Sequence, residues 1–361
     1  MKKIIFAIEH LNGGGAERVT AALANNLCAE MDCEIHMIAY SRSIQRDYPT
    51  DNRIIWHEVS CLDGHRLERI FRRVVMMRQI IKKVKPDYVI SLGTALIIAP
   101  LSVAMVGLKT PLILSERNDP KRFPVKKTHR ILRTIYYTFC HALVFQTAEA
   151  QSFFPGYMQK KSCVICNPLT EQLPPRYEGI RENRIVNFCR LVPQKNLPLL
   201  IDAFSDIADA FPNYSLEIYG EGSEQAMLEE KIKAMNLENR VLLRSHSDTI
   251  LDDIRKAALF VSSSDYEGIS NSMLEAIALG IPTICTDCPA GGAREIIRNS
   301  ENGLLVPTGN RRALADAMRT VLQNPVLAES MGSNGTALRE QLHVKTIAKK
   351  WMMFIDQLSA V

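Results

Sequence analysis

Aromatic residues are scarce in this sequence, 7% of 361 residues with two tryptophans, and the scarcity limits what the chain can bind. Proteins that hold single-stranded nucleic acid interleave rings with basic side chains so that bases can stack. The basic stretch Arg66 to Val84 offers one ring, Phe71, so no nucleic-acid partner is expected. Long apolar runs are lacking too. The longest, Ala95 to Leu108, contains Pro100 and falls short of the roughly 20 residues that span a bilayer, so it reads as a buried helix. The opening Met1-Lys-Lys-Ile-Ile-Phe-Ala-Ile8 runs into Glu9-His10, which leaves an apolar segment too short for a secretory leader and predicts a first strand. Without an export signal, the nine cysteines point to a reducing compartment. Two Cys-x-x-Cys pairs, Cys163/Cys166 and Cys285/Cys288, lie in strand-like runs, where alternation turns the two sulfurs of a pair to opposite faces. Buried thiols are expected there, not zinc ligands.

What is present is an ordinary enzyme composition, 47% hydrophobic and 23% charged, in a chain longer than the roughly 250 to 300 residues at which single cores stop growing. Two domains are predicted. Strand-like runs alternate with helical ones: Lys3 to Ile8, Cys33 to Tyr40, Asp87 to Ser91 and Pro111 to Ser115 first, then Arg184 to Cys189, Ser215 to Tyr219, Arg240 to Leu243, Ala257 to Val261 and Ile281 to Cys285. Such alternation means parallel sheets covered on both faces. The Pro-rich, polar stretch Asn167 to Gly179 reads as the linker. The expected domains are residues 1–170 and 180–340, with 341–361 as a terminal helix packing back toward the first. Charge divides between the halves, net +10 up to Cys166 and −5 beyond it, so the first half is expected to face something anionic.

Ligands of such sheets bind at the carboxyl ends of strands, and three loops there draw notice. Gly13-Gly14-Gly15 separates the first strand from its helix, where bare backbone and a helix N-terminus suit an anion. It is not a Gly-x-Gly-x-x-Gly fingerprint, and the second strand ends Ala39-Tyr-Ser-Arg42 without an acid for a ribose, so a nicotinamide-dinucleotide site is not expected. After the first strand of the second half comes Cys189-Arg190-Leu-Val-Pro-Gln-Lys195-Asn-Leu-Pro198, two cations before a proline-started helix, which suits a clamp on a diphosphate. The third, Ser262 to Gly280, places Glu267 and Glu275, with seven residues between them, on a loop and the helix after it. Alone, these could be a helix-surface acid and a carboxylate favoured by a helix N-terminus.

Arg190-Leu-Val-Pro-Gln-Lys195-Asn, Gly220-Glu-Gly222, Glu267-Gly-Ile-Ser-Asn-Ser-Met-Leu-Glu275-Ala and Gly13-Gly-Gly-Ala-Glu-Arg18 together resemble the retaining GT-B glycosyltransferases of family 4, over essentially the whole chain. Within that family the chain is similar to enzymes extending lipid-linked glycans and surface polysaccharides, N-acetylgalactosamine transferases among them. The resemblance implies an α/β fold of two doubly wound Rossmann-like domains facing each other across a cleft, an N-terminal acceptor-binding and a C-terminal donor-binding domain. It implies that Glu275 binds the ribose of a nucleotide-sugar and Glu267 the donor sugar, with Gly268, Ile269 and Ser270 offering backbone N–H groups. Arg190 and Lys195 would neutralise the leaving diphosphate, and Gly14, Gly15 and His246 would also contact the donor. Many relatives carry a histidine near the reaction centre where this chain has Arg117, which can donate hydrogen bonds but cannot act as a base. Arg244 replaces a usual glycine beside the base-reading loop, so the nucleobase is open, with uridine leading. No metal or cofactor is expected beyond the nucleotide-sugar, and the acceptor would be lipid-linked or an oligosaccharide. The competing reading is a sugar-nucleotide epimerase or hydrolase on the same fold, for which no acid/base pair stands out.

A lipid-linked acceptor would set the enzyme in the cytoplasm, peripheral on the inner face of the plasma membrane. On Leu67 to Val84, residues Leu67, Ile70, Phe71, Val74, Met77, Ile81 and Val84 follow the spacing of a helical face packed on a sheet. The opposite side, with Arg66, Arg69, Arg72, Arg73 and Lys83, and the second basic run Lys121 to Arg133 are expected to bind an anionic membrane surface without insertion.

Overall fold

A computed structural model describes residues 1–11, 13–40, 48–59, 61, 65–245, 247 and 249–359. The chain forms two compact units, Met1–Pro168 with Val344–Val361, and Leu169–His343. In the first, strands β1 (Lys2–Ile8), β2 (Cys33–Ala39), β3 (Ile55–Glu58), β4 (Tyr88–Ser91), β5 (Leu112–Glu116), β6 (Ala142–Phe145) and β7 (Ser162–Val164) make a parallel sheet in the order β3-β2-β1-β4-β5-β6-β7. Ile4, Ile5, Phe6 and Ala7 of β1 are fully buried, as befits a central strand covered on both faces. The longer helices before Pro168 are α1 (Gly15–Glu30), α2 (Arg66–Val84), α3 (Ala95–Met105) and α4 (Lys127–Phe139). Right-handed crossovers put α2, α3 and α4 on one face, where α3 touches both of the others, and α1 on the other, against the C-terminal helix Val344–Ser359. That helix buries Ile347, Trp351 and Ile355, and the Tyr88 hydroxyl donates to the Ile355 carbonyl, 3.2 Å.

Two expectations need correction. The apolar face of α2 is buried only at Met77 and Ile81, while Leu67 and Phe71 are exposed. The helix has 19 residues, about 28 Å at 1.5 Å per residue, whereas the four-residue β4 after it spans about 13 Å, so the N-terminal turns outrun the sheet. The apolar helix α3 is not wholly buried either: Leu96 and Val103 are exposed. Among the described residues no helix is long and apolar enough to cross a membrane.

The second unit repeats the scheme. Strands β8 (Glu182–Phe188), β9 (Ser215–Tyr219), β10 (Val241–Arg244), β11 (Ala257–Ser262), β12 (Thr283–Thr286) and β13 (Leu304–Val306) are parallel in the order β10-β9-β8-β11-β12-β13. Leu200, Phe204 and Ile207 of helix α5 (Leu197–Ala208) pack with Leu216, Ile218, Leu314 and Met318 in its core. Helix α6 (Asn271–Ala278) follows β11. Both sheets are therefore Rossmann-like, and in the second the strand order reverses between β8 and β11. A crevice opens at such a reversal because the flanking loops diverge to opposite faces.

Candidate active site

The loops bearing the predicted second-half residues leave β8 and β11 at that reversal. The first passes through a short 3-10 turn, Pro193–Lys195, and Asn196 in the left-handed region, φ 44°, before Pro198 opens α5. It leans on the Gly220-Glu-Gly222 loop: Leu191 N donates to the Glu221 carbonyl (2.8 Å) and Cys189 N to that of Tyr219 (2.9 Å). A Cβ on Gly220, whose φ is +145°, would meet the Cys189 carbonyl, and one on Gly222 that of Leu191. Both glycines are there for close approach, and they brace the segment carrying Arg190, which is exposed.

Across the crevice, the Lys195 ammonium pairs with the Glu267 carboxylate, the side chains 13% and 14% exposed. Gln194 Nε2 donates to Glu267 Oε2 (3.2 Å) and the Tyr266 carbonyl (2.9 Å), and Ser264 Oγ to Glu267 Oε1 (3.2 Å). The backbones are stitched beside them: Asp265 N donates to the Gln194 carbonyl, Asn196 Nδ2 to Asp265 Oδ1 and Ser263 Oγ to the Lys195 carbonyl, all at 2.8 to 2.9 Å. Burial, the largest single influence, would lower the pKa of Lys195, but the charge of Glu267, the neighbouring Cys189 and the hydrogen bond to Glu267 together outweigh it and hold the ammonium above its ordinary value. From behind, Ala290 N donates to the Glu267 carbonyl (2.7 Å), and Gly292 lies so close to the Gly268 carbonyl that a Cβ would overlap it. Gln194, Ser264 and Gly292 escape the sequence reading. The only hint of Gly292 is the Gly291-Gly292 pair after β12.

Gly268 and Ile269 are buried where the loop turns into α6, and Ser270 caps that helix, its hydroxyl accepting from Met273 N at 3.4 Å. Glu275 is 3% exposed, so it is no ordinary helix-surface acid. A carboxylate is kept this far from water only by polar partners. The thiols nearby are not nucleophiles: burial pushes Cys189 up to about 11 and Cys288 up to about 12, and Cys285 also upward. Cys163 and Cys166 are half-buried, not fully buried as expected.

In the first unit, Gly14 precedes α1 and Gly15 opens it, and the Glu17 carboxylate folds back so closely that a Cβ on Gly14 would overlap it. Arg117 follows β5 and is half-buried; it donates to Ser115 Oγ (3.4 Å) and bonds Asn167 Oδ1. Burial lowers its pKa to about 10, which leaves it a cation at neutral pH. The neighbouring Glu116 is fully buried on Arg133 (3.0 Å) and accepts from the backbone of Arg117. His246 lies outside the described residues. The structure thus brings Lys195 and Glu267 into contact, sets Arg190, Gly268, Ile269 and Ser270 on the same two loops and Glu275 in α6, and holds Gly14, Gly15 and Arg117 in the first unit.

Residues 13–171 match the family model Glycosyltransferase Family 4, and residues 177–338 match Glycosyl transferases group 1. Across 99% of both chains the sequence is 26% identical to the Campylobacter jejuni enzyme GalNAc-alpha-(1->4)-GalNAc-alpha-(1->3)-diNAcBac-PP-undecaprenol alpha-1,4-N-acetyl-D-galactosaminyltransferase. It is 24% identical to the amylovoran biosynthesis glycosyltransferase AmsD of Erwinia amylovora, over 97% of this chain and 99% of that one. The fold superposes on Anabaena HepE, solved with UDP and glucose, with a TM-score of 0.84 at 19% identity over the full length of both. Two Rossmann-like sheets, each matched by its own domain model, make this chain a member of the family-4 glycosyltransferases of GT-B fold.

Proposed function

We propose that the chain transfers a hexose or N-acetylhexosamine from a UDP-sugar to a lipid-linked or polysaccharide acceptor in cell-surface glycan synthesis, with retention at the anomeric carbon. The observation that carries the proposal is the meeting of Lys195 and Glu267 at the strand reversal of the second sheet, next to Arg190. Two cations there suit a diphosphate, and Glu267 and Glu275 suit sugar and ribose hydroxyls, for which a carboxylate is a two-oxygen acceptor. The C. jejuni and E. amylovora relatives, named for an undecaprenol-linked glycan and a polysaccharide, support the acceptor class, and the UDP in HepE supports the donor.

In this reading the bond from the anomeric carbon to the donor phosphate breaks as the acceptor oxygen attacks from the same face, and the acceptor proton passes to the departing phosphate oxygen. No enzymic base or metal is needed. Arg190 and Lys195 act by stabilising the charge that grows on the diphosphate. An acceptor on a lipid brings the first unit to an anionic membrane surface. The test is thermal-shift screening of UDP, GDP, ADP and their sugars, since a ligand of the native state raises Tm, followed by NMR of the product anomer. The expected result is stabilisation by UDP and a UDP-hexose or UDP-N-acetylhexosamine, and an α-linked product from an α-linked donor. No stabilisation by any nucleotide would remove the donor assignment; inversion, or release of free sugar alone, would remove the reaction assignment.

A further inference from the structure

Many of the exposed apolar side chains of the first unit lie on the layer of α3 and α4, although others, such as Ile55, Val164 and Met353, lie elsewhere. On α4, Ile131, Leu132, Ile135 and Phe139 are exposed, Phe139 to 78%, and at 100° per residue they fall within about 100° of arc, one stripe along the helix. The adjoining α3 carries no charged residue and exposes Leu96 and Val103, with Val106 just past its end; Val125, before α4, is 74% exposed. Inward, α4 is anchored by Arg133, buried on Glu116 and donating to the Phe123 and Pro120 carbonyls at 2.6 and 2.9 Å. The stripe is therefore held outward by a fixed inner face.

The charge beside the stripe selects its occupant. From Lys121 to Phe139 there is no acidic residue, and Lys121, Arg122, Lys126 and Lys127 are all exposed at the N-terminal end of α4. A second copy docking through this face would set cations against cations, whereas an anionic surface complements them. An amphipathic helix with lysines and an Ile/Leu/Phe stripe lies in the plane of a lipid interface with its apolar side among the acyl chains. The basic side of α2 is partly engaged: Arg72 pairs with Glu68 and Arg73 lies over the Tyr40 ring at 4.6 Å, while Arg66 and Lys83 are exposed.

We infer that the outer face of α3 and α4 docks on an anionic bilayer, Lys121, Lys126 and Lys127 meeting the headgroups while Ile131, Leu132, Ile135 and Phe139 enter the acyl layer. The inference rests on the lipid-linked acceptor reading for the choice of a membrane as partner, and changes the contact from surface attraction through α2 and the run Lys121 to Arg133 to shallow insertion through α4.

The experiment uses the full chain and vesicles of phosphatidylcholine with or without phosphatidylglycerol. Phe139→Trp serves as a reporter, because an indole entering the acyl layer shifts its emission to the blue. The expected result is binding to the anionic vesicles with a blue shift, and a loss of affinity of about tenfold or more in Ile135→Ser/Phe139→Ser, since each removes an apolar side chain from the lipid. Lys126→Glu/Lys127→Glu is expected to lose comparable affinity, and salt to weaken the wild type only partly, because screening leaves apolar burial intact. An unshifted emission, a double Ser variant that binds like wild type, or a stable dimer that this variant dissolves would each overturn the inference. UDP affinity is measured on the same proteins as a control: unchanged UDP binding with lost vesicle binding separates the docking face from the donor site, and Glu275→Ala is expected to show the converse.

Discussion

Lys195 and Glu267 neutralise each other across the crevice, so a diphosphate that takes the ammonium competes with a carboxylate already there. That competition is relieved only if Glu267 finds new partners on the donor sugar, which ties phosphate recognition to sugar recognition. Glu275→Ala is expected to raise the donor Kd, whereas Glu267→Ala lowers turnover more than binding, because charge develops on the sugar in the transition state and not on the ribose. Isothermal titration with donor beside initial rates checks the split; equal losses of turnover at unchanged affinity would contradict it. Arg190→Ala and Lys195→Ala are each expected to cost at least about 2 kcal/mol of transition-state stabilisation, as for loss of one preorganised donor. Near wild-type kcat/KM in both would remove the diphosphate clamp. Each of these residues was visible in the sequence by type and by its place after a strand. Their pairing was not: Lys195 and Glu267 are 72 residues apart, and only the reversal of strand order brings the two loops together. Gln194 was hidden for a related reason, since a glutamine says nothing until the carboxylate it serves is in place.

Among the elements, most strands, including the four-residue β4 and β10, and most helices follow from apolar runs and periodicity, but β3, Ile-Trp-His-Glu, has neither an apolar run nor an alternation to mark it. The edge strand β3 is held in part by side chains. His57 on β3 meets His36 on β2, Nδ1 of His36 to Nε2 of His57 at 2.8 Å, and the far nitrogen of His36 faces Glu34 (2.8 Å), itself paired with Lys3 (2.9 Å). Burial, then the charges of His36 and Lys83, lower the pKa of His57 below 6.5. In the window between that lowered value and 6.5 the unfolded chain binds the proton more readily, so this contribution to stability is complete above about pH 6.5 and is lost as pH falls through the window. Melting at about pH 8 and about pH 5 is expected to show a drop for the wild type that His57→Gln reduces. An identical drop in the variant would show that the edge strand is indifferent to this histidine.

At the scale of the molecule, the chain leaves its first unit at Pro168 and returns to it at Val344, so the last helix belongs to the stability of residues far from it in sequence. Trp351, 1% exposed, is the largest fully buried side chain in the protein's core, and its helix packs on α1 and reaches Tyr88. Trp351→Ala is expected to cost about 3 to 5 kcal/mol, the usual range for emptying a buried aromatic site, and the cost falls on the first unit alone. UDP distinguishes the units, because a ligand raises the melting temperature of the part that binds it. In calorimetry with and without UDP, the transition that UDP raises is assigned to Leu169–His343, and Trp351→Ala is expected to lower the other one while leaving the UDP-sensitive transition in place. If the variant instead lowered the UDP-sensitive transition by as much, the two units would unfold as one cooperative body, and the terminal helix would serve the whole chain and not the sheet it covers.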